Sequence, residues 1–292
     1  GRRIKDSISP SISAESKSVN EDEDNAEYIA IYAIFKKFLQ NYVNVKERWD
    51  LLEEIMNLRA EFAFNHAIKG FGIDFEKALD LLRNHNDGLT KLEKEQRDVL
   101  VAALNNLVDF AVAEEFQMFD DIPDDFDIDE ETDLIEAENI FHEYNSIYAT
   151  IENEDIEYAM GVAAGWVSYT NNSVLTYMTQ GDNKVRPWHL ALEGTSYRKS
   201  SFPAWLIPPI EHGCRCFLVE ESSSVLNQSQ ISQVMGQITE MPDFVNPVFK
   251  ESVAKGGRIF SDAHSYFTIP KKYKKRLRAI ANKIKNKWLE KQ

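Results

Sequence analysis

Polar residues dominate positions 1–25, GRRIKDSISPSISAESKSVNEDEDN, and such a segment cannot offset its ordering entropy, so a flexible or partner-draped arm is expected there. From Ala26 the pattern becomes helical. Tyr28, Ile31, Tyr32, Phe35, Phe38 and Leu39 recur at spacings of three and four, as do Trp49, Leu52, Ile55, Met56, Leu58 and Phe62, with Gly70 as the expected stop. A shorter helix is expected over Phe75–Leu82. A third long one is expected over 90–118, where Leu92, Leu100, Leu104, Leu107, Val108, Phe110 and Ala111 keep helical register. These elements make 26–120 a helical region. The stretch 121–154 reads as an acidic linker followed by a helix, since Pro123 and a carboxylate run interrupt the pattern. Its D-x-D pairs lack the glycine and spacing of an EF-hand loop.

Helices resume at about 133–150 and 154–179, where Gly161, Ala163, Ala164 and Gly165 predict close helix packing. After Gly181 short apolar pieces alternate with Pro and Gly. CFLVE is the clearest strand, a short helix is expected near 228–240, and 271–291 reads as a basic helix with Tyr273, Leu277, Ile280, Ile284 and Trp288 on one face. No internal repeat is visible. The expected fold is α+β, mainly α: a helical N-terminal region, a compact mixed module over 155–268, and a basic C-terminal helix over 269–292.

Composition narrows the class. A chain of 292 residues with 43% hydrophobic content can bury a real core. It has no apolar run of transmembrane length and no signal-peptide pattern at its start, so a protein of the cell interior or of a particle is expected, with no membrane partner. Gly1 in first position fits proteolytic maturation and a trimmed chain equally. The formal charge of −15 is unevenly spread, because the residues from Lys250 onward are strongly basic and the remainder strongly acidic. Lys271, Lys272, Lys274, Lys275, Arg276 and Arg278 are candidates for contact with DNA or with an acidic surface, the chain's own acidic half included; a solvated helix face is the plainer reading. The acidic remainder argues against nucleic acid as the main partner.

Candidate chemistry lies in 186-RPWHLALEGTSYRKSSFPAWLIPPIEHGCRCFL-218, which holds both cysteines. His189, His212, Cys214 and Cys216 are of the residue types that bind zinc, and an extended C-x-C places both thiols on one face. Two small buried thiols on a strand would read the same way. A nucleophilic cysteine served by His189 or His212, with Asp182 orienting the ring, is a third reading, without a local protease signature to support it. Arg186 and Arg215 suit an anion clamp or a structural ion pair. His66, His85 and His142 read as ordinary surface or core histidines. There is no Walker A loop, dinucleotide fingerprint or H-E-x-x-H.

Taken in order, Asp182, Val185, Arg186, His189, Leu192, Gly194, Pro208, Pro209, Cys214, Arg215 and Cys216 resemble the pattern of the phage Mu protein F-like domain of minor head, or head morphogenesis, proteins of tailed bacteriophages. Lys184 stands where the family usually has Arg, and no Trp precedes Asp182. The segment 244-FVNPVFKESVAKGGRIFSDAHSYF-267 resembles a later part of the same domain. The resemblance implies a virion or procapsid component, made in the host cytoplasm and placed in the head interior or at the portal. Its implied partners are portal or capsid proteins, with packaged DNA near the basic tail. It implies no established catalysis. A virion-delivered effector or enzyme using a Cys/His site is the alternative.

Overall fold

The computed structural model describes residues 14–84, 88–221, 238 and 240–290, with side chains from Asp22 onward. Helix α1 spans Ala14–Gln40, α2 Val45–Phe71, α3 Phe75–Arg83 and α4 Lys91–Asp121. Local chemistry sets their ends. Asn44 caps α2 by accepting from the Glu47 amide, and Asp74 caps α3. Thr90 and Glu93 form a reciprocal capping box on α4. The arm expected over 1–25 is corrected at its inner end: from Ala14 the chain is helical. There the carboxylates of Glu23, Asp24 and Glu27 stand against Lys69 and His66 of α2. Residues 1–13 lie outside the described residues.

Gly70 is not the stop of α2. The helix runs through it and ends at Phe71, with Gly72 at φ 74° as the cap. Gly70 instead lies where α2 meets a later helix, and a Cβ placed on it would stand 2.3 Å from the Glu157 carbonyl oxygen.

The acidic stretch is packed rather than loose. Ile122 and Phe126 are buried, and the Phe126 ring lies 4.9 Å from that of Tyr42. Carboxylates of Asp127 and Asp133 accept from backbone amides of the loop. Helix α5 (Glu131–His142) passes through a π-helical turn, Glu143–Tyr148, directly into α6 (Ala149–Ser168). The helix expected to continue to 179 stops at Ser168. Ser173 donates its amide to Thr170 across an Asn-Asn turn, and Val174–Met178 forms strand β1, whose branched and aromatic side chains suit a buried central strand.

Around β1 lie β2 (Ser196–Arg198) and β3 (Phe217–Glu220), both antiparallel to it, in the order β2-β1-β3. Thr176 pairs with Ser196 and Val219, Tyr177 with Leu218 and Met178 with Phe217. A single turn, α7 (Pro187–Leu190), connects β1 to β2. The last helix, α8 (Lys271–Leu289), buries Leu277, Ile280, Ala281 and Ile284. The short helix expected near 228–240 falls almost wholly outside the described residues. The observed fold is mainly α with one small antiparallel sheet.

Two apolar clusters organise the packing. The larger unites α1 to α6 with Val248, Phe249, Phe260 and Tyr266 and with α8. The smaller joins Trp166, Leu175, Tyr177, Phe202, Trp205, Ile210, Cys214, Cys216 and Val245 around the sheet. The expected module 155–268 is therefore divided: its middle forms the sheet core, while its two ends belong mostly to the helical body. Asn106 of α4 fastens the later end, accepting from the amides of Ile259 and Phe260 and donating to the Phe260 carbonyl.

Candidate metal centre

Short local devices bring His189 and the two cysteines together. Pro187 opens α7, where the lost amide costs nothing, and the turn carries His189 inward to 2% exposure. Gly194, at φ 84°, then reverses the chain and donates its amide to the Tyr177 carbonyl at 2.8 Å, which starts the pairing of β2 with β1. The cis Pro208–Pro209 bond leads into Glu211 and Gly213, and Cys214 and Cys216 lie on the extended approach to β3, each 2% exposed. The same-face geometry expected for C-x-C holds. Arg215, between them, faces outward and makes a two-pronged ion pair with Asp182, both contacts 2.9 Å.

His189 Nδ1 stands 3.3 Å from Cys216 Sγ and 3.9 Å from Cys214 Sγ. Bonds of about 2.05 Å to nitrogen and 2.3 Å to sulfur at tetrahedral angles put ligand atoms about 3.6 Å (N to S) and 3.8 Å (S to S) apart. The three donors lie within 4.8 Å of one another, so the group is already sized for a metal ion. On the other side of the ring, Nε2 lies 3.2 Å from Glu211 Oε2. A carboxylate there places the ring hydrogen on Nε2 and turns the Nδ1 lone pair towards the sulfurs. Trp188 Nε1 also donates to Glu211, and Arg186 pairs with it at 3.3 Å.

The electrostatics agree with a ligand set. Hydrogen bonding from Cys216 holds the Cys214 thiol well below its usual range against the penalty of burial, with His189 assisting. Cys216 is pushed up by its hydrogen bond to Cys214 and by burial, so the pair shares one proton. Burial disfavours the His189 imidazolium, but Cys214 and Glu211 outweigh it and leave the ring raised. The Tyr177 hydroxyl is buried beside the thiols, where burial and the two cysteines raise it and it interacts with Cys216, a further polar atom at the site. This buried His189–Cys214–Cys216 group can hold a metal ion.

His212, the fourth expected ligand, is not brought to this point. Its Nδ1 lies 2.7 Å from Asp155 Oδ2, and its ring packs on Phe249 and Phe260. Asp155 also accepts from the Gly213 amide at 2.8 Å, so the loop is tied to α6 with the imidazole facing away from the thiols. Arg186 donates to the His212 carbonyl, and like Arg215 serves as a structural partner. Of the basic candidates, Arg276 stacks on Trp49 at 3.9 Å, and Lys272 lies over Tyr273. Lys271, Lys274, Lys275 and Arg278 are exposed and make no ion pair among the described residues.

Sequence reasoning missed Asp155 and Glu211, which orient the two histidines, and the polar interior of the helical body. There Arg59, 1% exposed, donates to Glu114, Asn153 and Glu152 at 2.9–3.0 Å. A signal existed: Arg59 and His66 continue the buried spacing of Leu52 and Ile55 along α2. No helix among the described residues is long and apolar enough to cross a membrane. Compared with models of protein families, with curated proteins and with solved structures, the chain matches none.

Proposed function

We propose that the chain is a minor structural and assembly protein of a tailed-phage head, with a C-R-C module clipped by one zinc ion. The observation that carries this reading is the mutual contact of the motif residues. Asp182 grips Arg215, Arg186 holds the His212 carbonyl and Glu211, His189 faces Cys214 and Cys216, and Gly194 starts the sheet. Residues matching the family pattern thus form one network, and a network of that kind supports the resemblance more than scattered identities would.

In this reading the module is a rigid element and the helical body docks on portal or capsid proteins. The free cations of α8 lie towards packaged DNA, giving weak, sequence-independent binding that falls steeply with salt. Mass spectrometry of purified procapsids and mature particles tests it: the chain is expected in at least one of them, and absence from both overturns the assignment. Cobalt substitution tests the zinc clip, since thiolate ligation gives an intense near-ultraviolet charge-transfer band. The band is expected in the wild type and lost in Cys216→Ser. Its absence in the wild type removes the clip. The enzymatic alternative has a Cys214 thiol held below its usual range but no approach to it, both Cys214 and His189 being 2% exposed.

A further inference from the structure

We propose that Asp24, Glu27 and His66 form a second metal site, which takes a divalent first-row transition ion through two carboxylate oxygens and one imidazole nitrogen. The site lies where α1 crosses α2 and α6, and it shares no residue with the Cys/His centre. His66 projects from the buried face of α2 and is 4% exposed. Its Nδ1 lies 2.6 Å from Glu157 Oε1 on α6, so a hydrogen on that nitrogen is held by a carboxylate and the opposite nitrogen is left as the donor.

His66 Nε2 is buried without a hydrogen-bond partner. Glu27 Oε1 is 3.2 Å away and Asp24 Oδ1 3.9 Å, neither well aligned on the ring hydrogen; against the penalty of burial, Glu157 and Glu27 nonetheless hold the imidazolium up to about 9, so an ion bound here displaces the Nε2 proton. Ligand atoms about 2.1 Å from a common ion at 90–110° stand about 3.0–3.4 Å apart, a spacing that Glu27 meets and Asp24 reaches by a small side-chain rotation. Asn153 Nδ2 donates to Asp24 Oδ1 at 3.2 Å and Glu27 Oε2 at 3.3 Å, holding side by side two carboxylates that repel each other. A small cavity lined by Asp24, Glu27, Arg59, Asn145 and Asn153, among others, adjoins the cluster and is large enough for at most one water ligand. Asp24, Glu27 and Glu157 surround the ring and Lys69 pairs with Glu157 at 3.2 Å, so a dication that displaces the ring proton leaves the cluster near neutrality.

One nitrogen and two oxygens make a harder donor set than the thiolate pair. It suits Mn²⁺, Fe²⁺ or Zn²⁺; the imidazole disfavours Ca²⁺, and the lack of sulfur disfavours Cu⁺. Mn²⁺ is the discriminating probe, because thiolates bind it poorly. Electron paramagnetic resonance of the full chain is expected to show one bound Mn²⁺ carrying nitrogen coupling from a single imidazole. Asp24→Asn and Glu27→Gln are each expected to weaken binding more than about ten-fold, and Glu157→Gln about ten-fold through loss of ring orientation. Cys216→Ser is expected to bind as the wild type does, and circular dichroism confirms folding of each variant. Free Mn²⁺ at millimolar concentration with wild-type protein overturns the proposal. So does bound Mn²⁺ without nitrogen coupling, or wild-type affinity in both carboxylate variants.

Discussion

Arg59 shows how much one side chain can hold in place. Its guanidinium divides among Glu114, Glu152 and Asn153, while Glu115 nearby is pushed up to about 7 by burial. Removing the cation leaves buried carboxylates uncompensated, so Arg59→Met is expected to cost about 3–5 kcal/mol in urea unfolding. A result under 1 kcal/mol would mean that the acids neutralise without it. His264 acts in the opposite sense. Burial, with His212 nearby, lowers it to about 4, against about 6.5 in an unfolded chain. As pH falls below about 6.5 the unfolded state takes a proton that the folded state refuses. Stability therefore falls between about pH 6.5 and 4, by at most about 1.4 kcal/mol per unit from this group, and levels off below 4. His264→Asn is expected to flatten that part of the profile relative to wild type, and parallel profiles would contradict the assignment. At this scale the sequence named the chemistry better than the partners. His189, Cys214 and Cys216 are close in sequence and share a local geometry, whereas the partner of His212, Asp155, lies fifty-seven residues away on another element.

The long helices were legible as elements because each has an apolar stripe, and α2 and α4 also have a capping residue at their start. Less legible was what interrupts them. Gly70 looks like a stop, but it acts as a contact: the Glu157 backbone approaches so closely that a methyl group has no space, and Gly161 lies opposite, its would-be Cβ 3.4 Å from the Gly70 carbonyl oxygen. Gly70→Ala is expected to destabilise the fold by about 2–3 kcal/mol through overpacking, more than Gly72→Ala, which meets open space and only backbone strain of about 1 kcal/mol. Thermal unfolding of the two variants ranks them, and the reverse order would mean that α2 and α6 are not in register at this crossing. The strand Val174–Met178 reads as helix in the sequence because it is buried on both faces and shows no alternation. Burial by β2, β3 and the smaller cluster makes it a strand, and none of those partners is local.

For the whole molecule, the charge asymmetry visible in the sequence acts within the chain as well as towards any partner. Lys285 pairs with Asp109 at 2.7 Å and Lys283 with Glu53, while the apolar face of α8 completes the larger core. Reversing Lys271, Lys274, Lys275 and Arg278 to Glu is therefore expected to change the melting temperature little and to remove the low-salt DNA binding proposed for α8. Truncation after Pro270 is expected to lower stability severely. Unchanged DNA binding in the reversed variant would take α8 out of any nucleic-acid role. The position of α8 also bears on how the chain is made. Tyr273 covers Trp49 and Phe116, and Trp288 covers Phe64, so the helical body encoded by the first half is closed by residues translated more than a hundred codons after α6. At about 5–20 residues per second that interval is of order ten seconds. Until α8 has emerged, Trp49, Phe116 and Phe64 lack the rings that cover them, so the helical body completes its core only after its last helix is made.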